Sequence, residues 1–235
     1  MPPRFSAAVL YMRAPGRRPA AAGKMSGFLV YSDQMNRSKE PAAHSDGFAA
    51  GLADPLAALR AATDSRHQRL DSGLPIGAPD ASLGDYARHL HMLQAWLAPL
   101  QAWLAGFRDG PRFDQAGRLA LIDADLGEPG MPAAAGFPAA RVDWPLDASP
   151  AWRWGVCYVI EGSQLGGAVL YKRLAEQLAP HPLRYLRGAG EAGPGPRWRA
   201  FMGALRADVR SEEAIAEACA GACDAFERIL ALARV

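Results

Sequence analysis

The sequence predicts an all-α fold, a compact helical bundle formed by one domain. In successive segments apolar residues recur with spacings of three and four, which is the period of an amphipathic helix. Several of these segments begin with Ser or Asp, residues whose side chains accept a hydrogen bond from the first helical turn. No segment alternates apolar and polar residues over the length of a strand, and no internal repeat or sustained heptad pattern is present.

Two regions of different composition divide the chain. Residues 1–50 are rich in Ala, Pro, Gly and Arg and contain no amphipathic period long enough to bury a face, so we predict a disordered extension there. Residues 51–235 are expected to form the helical domain. With 50% hydrophobic residues, the chain as a whole has enough apolar material for one sizeable core.

Charge and cysteine content exclude several classes of protein. The formal net charge is +2, and residues 1–50 hold seven Lys or Arg against three Asp or Glu, so the predicted domain is slightly acidic and we expect no nucleic-acid partner. No apolar run approaches the ~20 residues of a membrane span. Three cysteines without a C-x-x-C pair indicate a reducing compartment, so we expect the cytoplasm.

Helix-start signals locate the first three elements. Asp54 followed by Pro55 is a typical N-terminus, and it predicts a first helix over about 54–71. Ser82 begins an S-x-x-D pattern that resembles a capping box, and a long stripe of leucines follows it in a second helix. A shorter third helix is expected over 113–126, and a loop rich in Pro, Gly and Ala follows to about 148.

The second half of the chain begins with the longest predicted helix. Ser149-Pro150 is its N-terminal signal, and it is expected to run to about Leu178, where prolines end it. The elements that follow are a Gly/Pro-rich loop over 188–196, a helix over 197–209 and a last helix from Ser211 to about Ala233.

The middle of the long helix contains an unusual cluster of glycines. In "YVIEGSQLGGAVLYKRL", residues 158–174, each of Gly162, Gly166 and Gly167 costs about 1 kcal/mol of helix stability relative to alanine. Gly155 lies two turns before Gly162, so this pattern predicts one nearly flat helix face. Two explanations are open: another helix packs closely against this face, or a flat ligand lies on it.

His67 lies on the apolar face of the first helix. In "LRAATDSRHQRLD", residues 59–71, its spacing from Leu59 and Thr63 places all three residues on one side. One interpretation is a buried histidine that bonds to a carbonyl or hydroxyl group. The other is an axial ligand to a heme (haem) iron.

Two motifs, in this order, resemble those of the heme oxygenase family. "L-R-A-A-T-x-x-x-H" is similar to the family's proximal-helix motif, and "E-G-S-x-L-G-G-x-V-L" is similar to the distal-helix motif in its bacterial, biliverdin-producing form. The resemblance extends over about residues 54–233. It implies an all-α bundle in which heme lies between the first helix and the long glycine-containing helix.

The resemblance assigns candidate site residues. It implies that His67 is the metal ligand on the proximal side of the heme. The residues it implies for the distal, catalytic side are Gly162, Ser163, Gly166 and Gly167. Ser163 stands where mammalian members have an acidic residue, and several bacterial members resemble this sequence there.

Three further residues are candidate cofactor-binding positions. Arg60, three residues before Thr63, matches a basic family position that meets a heme propionate, and Thr63 belongs to the proximal motif. Arg199 is the second candidate for a propionate. Either arginine can equally be an exposed helix residue.

The resemblance also implies a reaction and its partners. Heme is both substrate and cofactor, and O₂ with electrons from an external donor opens the porphyrin to give biliverdin, carbon monoxide and ferrous iron. The donor is expected to be a ferredoxin, a flavodoxin or a reductase, because no flavin or nicotinamide motif is present. The distal motif resembles that of heme oxygenases that supply biliverdin to a bacteriophytochrome, and iron release from heme is the competing role.

Two other functions remain open from the sequence. One is a heme-binding or heme-sensing protein without turnover. The other is a thiaminase-like all-α hydrolase, which needs a cysteine nucleophile with a carboxylate partner. Cys157 is expected to be the only cysteine near the predicted pocket.

Overall fold

The computed structural model describes residues 54–112, 115–133, 143–188 and 193–234, and within them the chain is helical and contains no strand. This confirms the predicted all-α class. The helices are α1 (Pro55–Gly73), α2 (Leu83–Ala105), α3 (Ala116–Leu126), α4 (Pro150–Leu174), α5 (Arg184–Arg187), α6 (Gly195–Asp208) and α7 (Glu212–Ala233), with a 3-10 turn at Pro75–Gly77. The predicted extension at residues 1–50 lies outside the described residues.

Side-chain caps set the starts of four helices. Asp54 accepts a hydrogen bond from the backbone amide two residues further on, at 3.3 Å. Ser82 and Asp85 form a reciprocal capping box, with distances of 3.2 and 2.9 Å between each side chain and the other residue's amide nitrogen. Ser149 and Ser211 cap α4 and α7. The helix starts predicted at these four caps are therefore confirmed.

Two differences from the predicted elements have physical causes. The long helix ends at Leu174 rather than near Leu178, because the residues after it form tight turns before Pro180. Helix α5 was not predicted, since four residues are too few to show a helical period. The carboxylate of Asp125 accepts a hydrogen bond from the amide of Tyr185 at 2.9 Å and so holds α5 from outside the helix.

Helix α7 is the surface on which α1 and α4 both pack, and α4 crosses it at two glycines. A Cβ atom on Gly155 would overlap the carbonyl group of Ala218, whose carbon would be 2.7 Å away. A Cβ atom on Gly221 would overlap the carbonyl group of Trp152, whose carbon would be 2.8 Å away. Close helix packing is therefore the reason for glycine at position 155.

None of the described helices combines the length and the mean hydropathy that a membrane span requires.

We predict that Gly221→Ala lowers the free energy of unfolding by about 1–3 kcal/mol or more, because the new methyl group forces α4 and α7 apart. Gly203→Ala is the matched control, since a Cβ atom there has no neighbour within 4 Å and Ala raises helix propensity by up to about 1 kcal/mol. Urea denaturation of both variants measures the difference. Equal stability of the two variants would contradict the close crossing.

Candidate functional site

His67 is paired with a carboxylate one helical turn further along α1. Its Nδ1 atom lies 3.1 Å from Oδ2 of Asp71, and the His67 side chain is 24% exposed. The imidazole packs against the ring of Phe226 on α7, with 5.8 Å between the ring centroids. A carboxylate beside Nδ1 leaves Nε2 as the ring atom that could bind a metal. The i,i+4 spacing of His67 and Asp71 is the signal that could have shown this pair.

Thr63 connects α1 to α4 at the turn that precedes His67. Its Oγ1 atom is buried and donates a hydrogen bond to the Leu59 carbonyl at 2.8 Å. The hydroxyl of Tyr158 on α4 lies beside it: burial raises the pKa of Tyr158, while the charge of Arg60 and a hydrogen bond with Thr63 partly counteract this rise. Arg60 itself is exposed. This contact links α1, one turn before His67, to α4, one turn before Gly162.

The distal glycines do not form one flat surface. A Cβ atom on Gly162 would lie 3.9 Å from the ring of Trp198 on α6. A Cβ atom on Gly167 would lie 3.6 Å from the carbonyl oxygen of Leu186 on α5, on another side of α4. Gly166 is buried between them along the helix. The glycines therefore serve at least two separate contacts, in addition to the crossing at Gly155.

Ser163 is half-buried, and its hydroxyl is directed back to its own helix. Oγ donates a hydrogen bond to the Ile160 carbonyl at 2.8 Å. Because this bond uses only the hydroxyl hydrogen, the Ser163 oxygen can still accept a hydrogen bond. The side chain of Tyr185 lies on the same side of α4.

A buried ion-pair network centred on Glu161 holds α4 against α3 and α6. No sequence motif indicated this network. Glu161 accepts hydrogen bonds from Arg118 on α3 and Arg197 on α6, both at 2.7 Å, and from Gln115 at 3.1 Å. Burial alone raises the pKa of Glu161, but the hydrogen bond from Arg197 and the charges of both arginines hold it below its usual value. The carboxylate is thus ionised and ties α4 to two neighbouring helices.

The two arginines at the start of α6 have different surroundings. Arg197 is engaged with Glu161, whereas Arg199, the sequence candidate, is exposed on the same helix. An exposed guanidinium at this position can reach a negatively charged group of a ligand at the edge of the bundle.

The cysteines do not support a thiol nucleophile. Cys157 is fully buried, and burial together with the nearby charge of Glu161 raises the pKa of its thiol far above the usual value. Cys223 on α7 also lies beside α1, where its Sγ contacts the Ala62 carbonyl at 3.4 Å. A buried, protonated Cys157 is a poor nucleophile.

The donor groups near α1 fit a heme. In the part of the chain that the structure describes, no group of three or more His, Cys, Asp or Glu side chains could hold a bare metal ion. A porphyrin supplies most ligands of its own iron, so one imidazole with an orienting carboxylate is enough. The all-α fold and these side chains are compatible with a helical protein that binds heme.

Comparison with known proteins identifies the family. The sequence model named "Heme oxygenase" matches residues 54–234. A heme oxygenase of Xanthomonas campestris pv. campestris (strain 8004) is 36% identical over 137 residues, which are 57% of this chain and 78% of that protein. Heme oxygenase PigA of Pseudomonas aeruginosa is 33% identical over 175 residues, 72% of this chain and 86% of PigA.

A solved structure agrees with these relatives. The NO- and CO-bound heme oxygenase from Neisseria meningitidis has a TM-score of 0.56 and 25% sequence identity, over 77% of this chain and 90% of that one. The chain belongs to the heme oxygenase family and is accordingly an oxidoreductase.

We predict that Glu161→Gln lowers the free energy of unfolding by about 3–5 kcal/mol, because it leaves the buried guanidinium of Arg118 without its counter-charge. Glu227→Gln is the matched control: Glu227 pairs with Arg66 at 2.7 Å but is 49% exposed, so a loss of about 0–1 kcal/mol is expected. Urea denaturation compares the two variants. A loss for Glu161→Gln as small as that of the control would show that the buried network does not hold α4.

Proposed function

We propose that this chain cleaves heme oxidatively to biliverdin, carbon monoxide and ferrous iron, with O₂ and electrons from an external donor. The observation that carries the proposal is the pairing of His67 with Asp71 on α1, a helix that shares the surface of α7 with the glycine-containing α4. The heme supplies the oxygen chemistry when it is bound. The residues of this chain bind the ring, orient it and keep competing groups away from it.

His67 is the proximal residue in this proposal. Its Nε2 atom would bind the iron, and the carboxylate of Asp71 lies 3.1 Å from Nδ1, the other ring nitrogen. A carboxylate on the far nitrogen also raises the basicity of the ligating nitrogen. Phe226 supports the imidazole from α7 and limits its rotation.

The distal residues are Gly162, Ser163, Gly166 and Gly167. Gly162 and Gly166 are one turn apart, so the strip of α4 surface at these two positions carries no side chain of its own, and the ring of Trp198 lies beside Gly162. A flat ring can approach helix backbone closely only where Cβ atoms are absent. Gly167 faces α5 and therefore has a supporting role in the packing of this segment.

Arg60, Thr63 and Arg199 are the proposed cofactor-binding residues around the ring. The two arginines are exposed, as residues that meet propionates at a wet heme edge must be. Thr63 lies at the contact between α1 and Tyr158 and so limits how closely α1 and α4 approach each other.

The partners follow from the proposed reaction. Electrons come from a ferredoxin, a flavodoxin or a reductase, because the chain has no motif for a flavin or nicotinamide of its own. We propose that the biliverdin is supplied to a bacteriophytochrome in the cytoplasm. Co-expression with a phytochrome apoprotein tests this role, since chromophore attachment must depend on turnover by this chain.

We predict that His67→Ala remains folded and helical but loses the histidine-ligated heme spectrum and heme turnover. The reason is that the methyl group of alanine provides no atom that can bind the iron. Imidazole added to the solution is expected to restore part of the spectrum. The measurements are heme titration by absorption, circular dichroism, and turnover with a defined reductant.

His91→Ala on α2 is the control for that variant and should keep both the spectrum and the turnover. Heme degradation by His67→Ala at the wild-type rate would contradict the proximal role of His67. A wild-type chain that binds heme without degrading it would instead indicate a heme-binding or heme-sensing protein.

We predict opposite effects of Gly166→Leu on helix propensity and on function. Leucine favours the helix locally by up to about 1 kcal/mol, whereas its side chain displaces the ring from α4 and slows turnover. Single-turnover spectroscopy and thermal unfolding of the heme-free protein measure the two effects. Gly203→Leu, at an exposed and open helix position, should leave turnover unchanged. Strong destabilisation by Gly166→Leu with normal turnover of the folded fraction would show that close packing explains this glycine.

A further inference from the structure

Two buried polar groups meet beside the distal motif without a good hydrogen bond. Tyr185 is 3% exposed and Gln164 is 8% exposed. The hydroxyl of Tyr185 lies within reach of the side chains of Gln164 and Ser163. However, neither Oη of Tyr185 nor Nε2 of Gln164 forms a hydrogen bond of good geometry with any described residue. Buried polar groups are rarely left in this condition, and a bound water is their usual partner.

The position of Tyr185 is set by a carboxylate on another helix. Asp125 of α3 is 1% exposed and accepts hydrogen bonds from the Tyr185 amide at 2.9 Å and from Oη of Tyr86 at 2.6 Å. Arg184, the preceding residue, bonds to the same carboxylate at 3.2 Å and to Glu128 at 2.6 Å. These bonds fix both the backbone of α5 and the direction from which Tyr185 approaches α4.

The side chains of Ser163, Gln164 and Tyr185 can together form hydrogen bonds with a single water molecule. The Ser163 hydroxyl donates to the Ile160 carbonyl and can still accept. The amide group of Gln164 donates, and the Tyr185 hydroxyl both donates and accepts. Burial raises the pKa of Tyr185, so this hydroxyl keeps its proton. The three side chains offer three partners for one water molecule, and the charges of Arg118 and Glu161 lie close to this site.

We propose that Tyr185, held by Asp125, is a positioning residue that binds a water against Ser163 and Gln164, and that this water would pass protons from the solvent to the distal side of the heme. The inference rests on the proposed function. Ser163 stands where mammalian members of the family have an acidic side chain. A serine hydroxyl alone is too weak an acid to donate a proton in place of that side chain. Tyr185 acts through the water and not by contact with the ring.

The test uses the full chain as its ferric heme complex. Tyr185→Phe removes the hydroxyl and keeps the aromatic ring, and Gln164→Met removes the amide at similar volume. We expect each variant to shift the midpoint of the pH-dependent absorption change of the ferric complex by about half a pH unit or more. Turnover should fall about tenfold, which is less than the loss of a direct acid or base. Tyr171→Phe, elsewhere on α4, is the matched control and should change neither property.

A purely structural role for Tyr185 gives a different result. In that case Tyr185→Phe changes the unfolding midpoint of the heme-free protein and leaves the spectroscopic midpoint and turnover as they were. That outcome, with the same result for Gln164→Met, overturns the inference while wild-type turnover still supports the proposed function. A wild-type chain that does not degrade heme would refute the proposed function and this inference with it.

Discussion

The close crossing of α4 and α7 is the constraint on which the rest of the structure depends. Gly155 and Gly221 allow each helix to lie against a carbonyl group of the other, and no larger residue fits at either position. Because α1 packs on the same helix α7, this crossing also fixes the separation between α1 and α4. The width of a site between α1 and α4 therefore depends on the crossing of α4 and α7, although the glycines at that crossing do not belong to the site.

Buried charges then set the rotation of α4 about its axis. Glu161 is tied to Arg118 and Arg197 on one side, and Asp125 holds α5 against another side. An unpaired charge in these positions would be costly, so each network has one arrangement that is strongly preferred. The glycine segment has few side chains with which to fix its own orientation. Neighbouring helices thus provide the rigidity that a ligand site on bare backbone requires.

Much of the fold could be predicted from the sequence, because local signals set it. Caps such as Ser82 and Ser149 act within one helical turn, and apolar periodicity needs only the chain itself. Helix α5 could not be predicted, since four residues show no period and the carboxylate of Asp125 that holds them is remote in sequence. In the site, the motifs indicated His67, and the i,i+4 spacing could have indicated Asp71, but the network around Glu161 depends on contacts between helices that no motif specified.

The glycines of α4 show how far spacing alone can be taken. Residues that are seven or four apart share a side of a helix, so Gly155 and Gly162 suggested one flat face. In the structure Gly155 faces α7, Gly162 faces Trp198 on α6, and Gly167 faces Leu186 on α5. Spacing gives the direction of a residue from its own helix axis, whereas the neighbour in that direction changes along a helix of 25 residues. A glycine-rich motif can therefore combine packing positions with ligand positions, and only the atoms that a new Cβ would meet separate the two kinds.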